Sequence, residues 1–147
     1  MSFDFSRVKK QPVNFIQINK YLQKAYKTIQ TSQKNLSNDE ESSFTLAYEA
    51  MLKISLALML SRGYRARTQL GHHGTLVYFA KYVLGNKFSP LMSTYNRMRS
   101  KRNKLIYDTN SVTKTEADQA IRTAKRYYKI VEQKISKDNP QQKLWRP

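Results

Sequence analysis

No cysteine occurs in the chain, which excludes disulfides, thiolate zinc sites and cysteine nucleophiles. Two histidines are too few for a His-rich metal site, so neither a metal nor a cofactor is expected. Four glycines and four prolines rule out a loop-rich β-sandwich, a collagen-like chain and low-complexity sequence. Long apolar runs are missing too, since the longest clean one, residues 54–60, is far short of a membrane span. The opening residues lack the charged-then-apolar layout of a signal peptide. The expectation is a cytoplasmic protein with no membrane partner.

Negative charge is scarcest of all. Ten Asp and Glu face 27 Lys and Arg among 147 residues, a formal charge of +17. Between Glu49 and Asp108 lie 58 residues without one acid, carrying eleven bases. Residues 5–38 form a second acid-free stretch, with Arg7, Lys9, Lys10, Lys20, Lys24, Lys27 and Lys34. Such asymmetry costs folding energy through self-repulsion and concentrates polyanions near the surface. Bases that neutralise phosphates release counterions, which gives affinity without sequence readout. RNA or another polyanion is therefore the expected partner. A hydrophobic content of 39% supplies a core, so the charge does not signal a disordered tail.

What is present is helical periodicity. Phe15, Ile18, Leu22, Ala25, Tyr26 and Ile29 recur at three- and four-residue steps, the stripe of an amphipathic helix. Ser37 and Glu40 stand at capping-box spacing before a helix that should run to about Arg62, where Gly63 is a natural stop. That helix is apolar around much of its circumference and is expected at the centre. Residues 64–74 read as a polar loop, followed by a shorter helix over about 73–84. Ser89-Pro90 restarts the chain, and Leu91, Tyr95, Met98, Arg102 and Leu105 fall on one line of the next helix. Asp108-Thr109-Asn110 breaks it. Thr113 and Glu116 form another capping-box pair, opening a last helix with its stripe at Ala117, Ala120, Ile121, Ala124, Tyr128, Val131 and Ile135. The sum is an all-α, up-and-down bundle of about five helices, four long and one short. Residues 1–11 are an arm, 12–136 the bundle, and 137–147 a loosely held tail whose Leu144-Trp145 can dock on the body or on a second subunit.

Arg102 is the odd residue, because a lone cation on a core-facing line costs several kcal/mol. Either Glu49 of the central helix pairs with it, or the stripe lines a cleft or subunit interface. In the second case the guanidinium is free to grip phosphate in a fork. Arg97, Arg99, Lys101 and Lys104 occupy the other faces of the same helix, a phosphate-positioning surface whatever Arg102 does.

Three stretches together resemble the HEPN superfamily of small helical bundles. They are the central helix ending Ala57-Leu58-Met59-Leu60-Ser61-Arg62-Gly63, His73-Gly74 entering a helix with Phe79 and Val83, and Arg102-Asn103-Lys104-Leu105-Ile106-Tyr107-Asp108 before a capped, Ala-rich helix. The likeness covers about residues 12–135. It implies an up-and-down bundle that dimerises across the motif helix. Many HEPN proteins are metal-independent ribonucleases, often toxins paired with a nucleotidyltransferase-like antitoxin. Their signature is an Arg followed four to six residues later by His, doubled at the homodimer interface. A base there takes the ribose 2′-OH proton while Arg stabilises charge growing on the phosphoryl oxygens.

The resemblance carries over to Arg102 and Asn103, but the expected His is Tyr107. A phenol, titrating near pH 10 in water, is a poor base around neutrality, yet it can still bond a phosphate or a base. The chain is most similar to a branch of small single-domain HEPN-like proteins with Arg, four residues, then Tyr. In toxins with a further Tyr two residues after the His, that Tyr receives AMP from the antitoxin. Here the position is Thr109.

Arg102 and Tyr107 are thus the candidate catalytic pair, and Arg97, Arg99, Lys101, Arg102, Asn103, Lys104 and His73 the candidate nucleic-acid contacts. His72 and His73 precede a helix, where an imidazole stays neutral and can serve as a base; packing of the loop against the bundle is the plainer role. Three functions stand: a nucleic-acid- or nucleotide-binding module with a basic groove at a dimer interface, a metal-independent ribonuclease, and a helical module that binds an acidic protein.

Overall fold

A computed structural model describes residues 2–67, 72–107 and 109–147. Among these, five α-helices form the bundle: α1 (Phe15–Asn35), α2 (Glu40–Ser61), α3 (His72–Leu84), α4 (Ser89–Tyr107) and α5 (Lys114–Asp138). The all-α bundle of about five helices expected from periodicity is the observed fold. Asp108, part of the expected break after α4, and Thr68 to Gly71 of the expected loop lie outside the described residues.

In α1, Ile18, Leu22, Ala25, Ile29 and Ser32 are buried at alternating steps of four and three, a single stripe laid along α2. Asn14 starts the helix, its side chain accepting from the amides of Ile16 and Gln17. At the far end the two helices approach closely enough to exchange bonds. Ser32 donates to the Ser43 carbonyl at 2.6 Å, and Ser43 returns one to the Ser32 carbonyl at 2.8 Å.

The centre is α2, buried on most sides from Phe44 to Ser61. By length and composition it could cross a membrane, yet 67% of that window is covered by the bundle. Its cap is Asp39, bonded to the Ser42 amide at 3.0 Å, and not the expected Ser37–Glu40 box. One short carboxylate beside the helix fills the orphan amide, so Ser37 is left in the turn. Gly63 does end the helix, at φ +82°, a conformation that a Cβ disfavours. The Thr113–Glu116 capping box opens α5 as expected, with both reciprocal bonds at 3.1 Å.

Two features depart from the expected loop and arm. Val8–Lys10 (β1) and Tyr64–Ala66 (β2) pair antiparallel, Val8 opposite Ala66 and Lys10 opposite Tyr64. Val8 is the buried rivet, packed with Met59, Leu76 and Phe79. The tail is docked instead of loose. Leu144 is buried, the Trp145 amide donates to Asn19 Oδ1 at 2.7 Å, and its ring lies 5.6 Å from that of Tyr26. Arg146 pairs with Glu132 at 2.9 Å. The tail therefore clips α1 to α5.

Candidate functional site

The site grows out of α4 and the start of α3. Leu91, Met92, Tyr95 and Met98 bury the first three turns of α4. The same line then reaches Arg102, half-buried at the edge of the core, with Arg99 a turn earlier. Opposite them α3 opens on His72-His73-Gly74, and Gly74 lets Arg99 come close: a Cβ there would stand 3.3 Å from Arg99 Nη1, so the guanidinium would have to shift by a few tenths of an ångström. Arg99 is further held by Asn96, whose Oδ1 accepts from Nε at 3.1 Å, and lies 5.8 Å over the Tyr78 ring.

Under this pair, α2 supplies Tyr48. Its hydroxyl is 3.2 Å from His73 Nδ1, and the two rings are 5.7 Å apart. Burial pushes the Tyr48 phenol far up, against the opposing pull of Arg99 and Arg102, so it remains a neutral hydroxyl. Burial holds both imidazoles below the ordinary histidine range. For His73 the charges of Arg102, His72 and Arg99 push the same way. The contact admits two tautomers: where Nδ1–H donates to the phenol, Nε2 of His73 keeps a lone pair that can accept a proton, and where the phenol donates to Nδ1, Nε2 carries the hydrogen.

Arg102 itself is under-satisfied. Its Nε is buried with no hydrogen-bond partner. Among the described residues no carboxylate pairs with it, so the ion pair with Glu49 is not made. A buried donor without a partner costs about 1–3 kcal/mol. An oxyanion accepting from that guanidinium would recover the loss and add a charge-assisted bond.

The other expected contacts spread around α4. Asn103 and Lys104 are exposed, Arg97 is exposed and donates to Thr94 at 3.0 Å, and Lys101 sits 3.5 Å from Glu116. Tyr107 is the last residue of α4 and 85% exposed, beside Ile106 at 51%. Within one subunit it stands apart from the half-buried Arg102: five residues along a helix turn a side chain well off the original face. The structure therefore gathers Arg102, Arg99 and His73, and leaves Tyr107 facing solvent. Tyr48 was missed in the sequence, because a tyrosine on an apolar stripe reads as core. Its one signal is its place on α2, the helix against which both α3 and α4 pack.

Comparison with protein families shows that a HEPN-domain model matches residues 18–134. No curated protein matches the sequence.

Proposed function

Because the chain belongs to the HEPN family, we propose that it binds RNA or a nucleotide through the cationic cluster at Arg102. At family level, membership implies a nucleotide- or RNA-related function. The observation that carries the reading is the Arg102 guanidinium, at the motif position, with a buried Nε that has no hydrogen-bond partner and, among the described residues, no acid at ion-pair distance. Arg99, a turn earlier on α4, adds a second cation, the charges of both arginines reach His73, and Arg97, Lys101 and Lys104 with the polar Asn103 lie around the other faces of α4. The absence of the Glu49 pair among the described residues counts against a merely structural arginine. A homodimer across α4 is part of the proposal, since Ile106 and Tyr107 offer apolar surface at its end and a second copy would double the cluster.

A second reading, metal-independent cleavage, is favoured by one observation: His73 offers a neutral imidazole where the motif histidine is replaced by Tyr107. In that reaction Nε2 takes the 2′-OH proton, the freed oxygen attacks the adjacent phosphorus, and the P–O5′ bond breaks to leave a 2′,3′-cyclic phosphate and a 5′-oxygen that takes a proton from water, while Arg102 stabilises the charge on the phosphoryl oxygens.

One experiment separates the two. Labelled single-stranded RNA is incubated with the protein in EDTA, beside Arg102→Ala and His73→Ala, and both binding and products are measured. Binding that drops at least about tenfold in Arg102→Ala, with no products above the variant background, supports the binding module. Products that survive chelation and vanish in both variants establish the nuclease. Affinity unchanged by Arg102→Ala overturns the site.

A further inference from the structure

The solvent side of α3 joins the Arg102 cluster to a second basic region. Tyr78 and Tyr82, four residues apart and so on one face, are 42% and 37% exposed. At one end Arg99 lies over Tyr78. At the other, Tyr82 meets Phe5, 43% exposed, edge-on at 5.6 Å. Phe5 and Tyr82 border an open cavity of about 430 Å³, also lined by Phe79 and by the ion pair of Arg62 with Asp138 at 3.0 Å.

Beyond this cavity runs the β1–β2 ribbon. Its register sets Lys9 opposite Arg65. Carried one step on, it sets Arg7 opposite Arg67, whose amide donates to the Arg7 carbonyl at 3.0 Å. Val8 points inward, so Lys9 and Arg65 share the outward face; Arg7, the last residue of the 3-10 turn Phe5–Arg7, and Arg67, just past β2, flank that pair, and all four are exposed. Among the described residues none has an acid at ion-pair distance. The nearest carboxylate in sequence, Asp4, accepts from the Ser6 amide and hydroxyl and also feels the charge of Arg7. Like charges directly opposed across two strands destabilise the pairing. One such pair, with Arg7 and Arg67 joined by a backbone bond beside it, makes the ribbon a surface that a row of phosphates would relieve.

We infer that this surface is a second contact for single-stranded RNA, with phosphates over Arg7, Lys9, Arg65 and Arg67 and bases stacked on Phe5, Tyr82 and Tyr78 toward Arg99. The inference rests on the RNA-binding reading and gives the strand a path away from Arg102. Unpaired bases fit because they present free faces to aromatic rings, a contact any base can make. A duplex would meet the cations but leave the aromatic stripe uncovered.

The test uses oligouridylates of about four and about sixteen nucleotides, labelled for anisotropy, on the intact chain. The ribbon variant Lys9→Ala/Arg65→Ala removes one opposed pair, and Phe5→Leu/Tyr82→Leu keeps apolar bulk while removing the stacking faces. Both should weaken the longer oligomer at least about fivefold and leave the shorter one nearly unchanged. The ribbon variant should also lower the salt slope by roughly one to two units and leave thermal stability equal or higher. Loss of affinity in Arg102→Ala with neither variant affecting the long oligomer overturns this inference and leaves the Arg102 site standing. Loss in these two variants with Arg102→Ala unaffected does the reverse, and no binding by the wild-type chain removes both. A duplex of equal length bound as tightly, with indifference to Phe5→Leu/Tyr82→Leu, also overturns the single-strand path.

Discussion

His73 titrates under the influence of burial first, then of the Arg102, His72 and Arg99 charges. Its folded-state pKa lies below the unfolded one, as does that of His72, with burial the largest cause. Unfolded chain therefore binds more protons in acid, and the stability linked to these rings is full above about pH 6.5 and is lost as pH falls through their folded values. Urea midpoints should decline across that window, and His72→Asn/His73→Asn should flatten the decline. A variant with the wild-type slope would remove the linkage. The site was only half legible in the sequence. Arg102 stood out because a cation interrupts an apolar line. Tyr48 and Gly74 did not, because their roles depend on α2, α3 and α4 meeting, which no local spacing encodes.

At the scale of elements, α2, α4 and α5 are locked by one buried polar knot. Ser55 of α2 lies 2.9 Å from the Tyr95 hydroxyl and 2.8 Å from that of Tyr127, and also donates to the Met51 carbonyl at 2.9 Å. Ser55→Ala should cost on the order of 3 kcal/mol in urea unfolding, because it strands two phenols inside the core. Adding Tyr95→Phe and Tyr127→Phe should recover much of that loss, since removing all partners leaves no orphan. If the triple variant is less stable than the single, the knot contributes more than satisfaction of its own groups. The helices were readable because long amphipathic stripes and caps are local. The ribbon was not: β1 and β2 hold three residues each, too few for alternation to register, and their pairing spans more than fifty intervening residues.

For the whole molecule, a charge of +17 acts on folding and binding with opposite signs. Added salt screens the self-repulsion of the free chain, so its melting temperature should rise between low and physiological ionic strength. RNA affinity over the same range should fall steeply, in proportion to the phosphates engaged. A melting temperature that fell together with the affinity would mean that ion pairs, not repulsion, dominate the free protein. The docked tail supplies an optical handle on all of this. Trp145 is the only tryptophan in the chain, and it rests against Tyr26 on the seam of α1 and α5. Intrinsic fluorescence thus reports whether the C-terminus is seated, remote in sequence from both Arg102 and the ribbon. Emission that red-shifts before the far-ultraviolet helical signal is lost would reveal the clip opening first, with the bundle still formed.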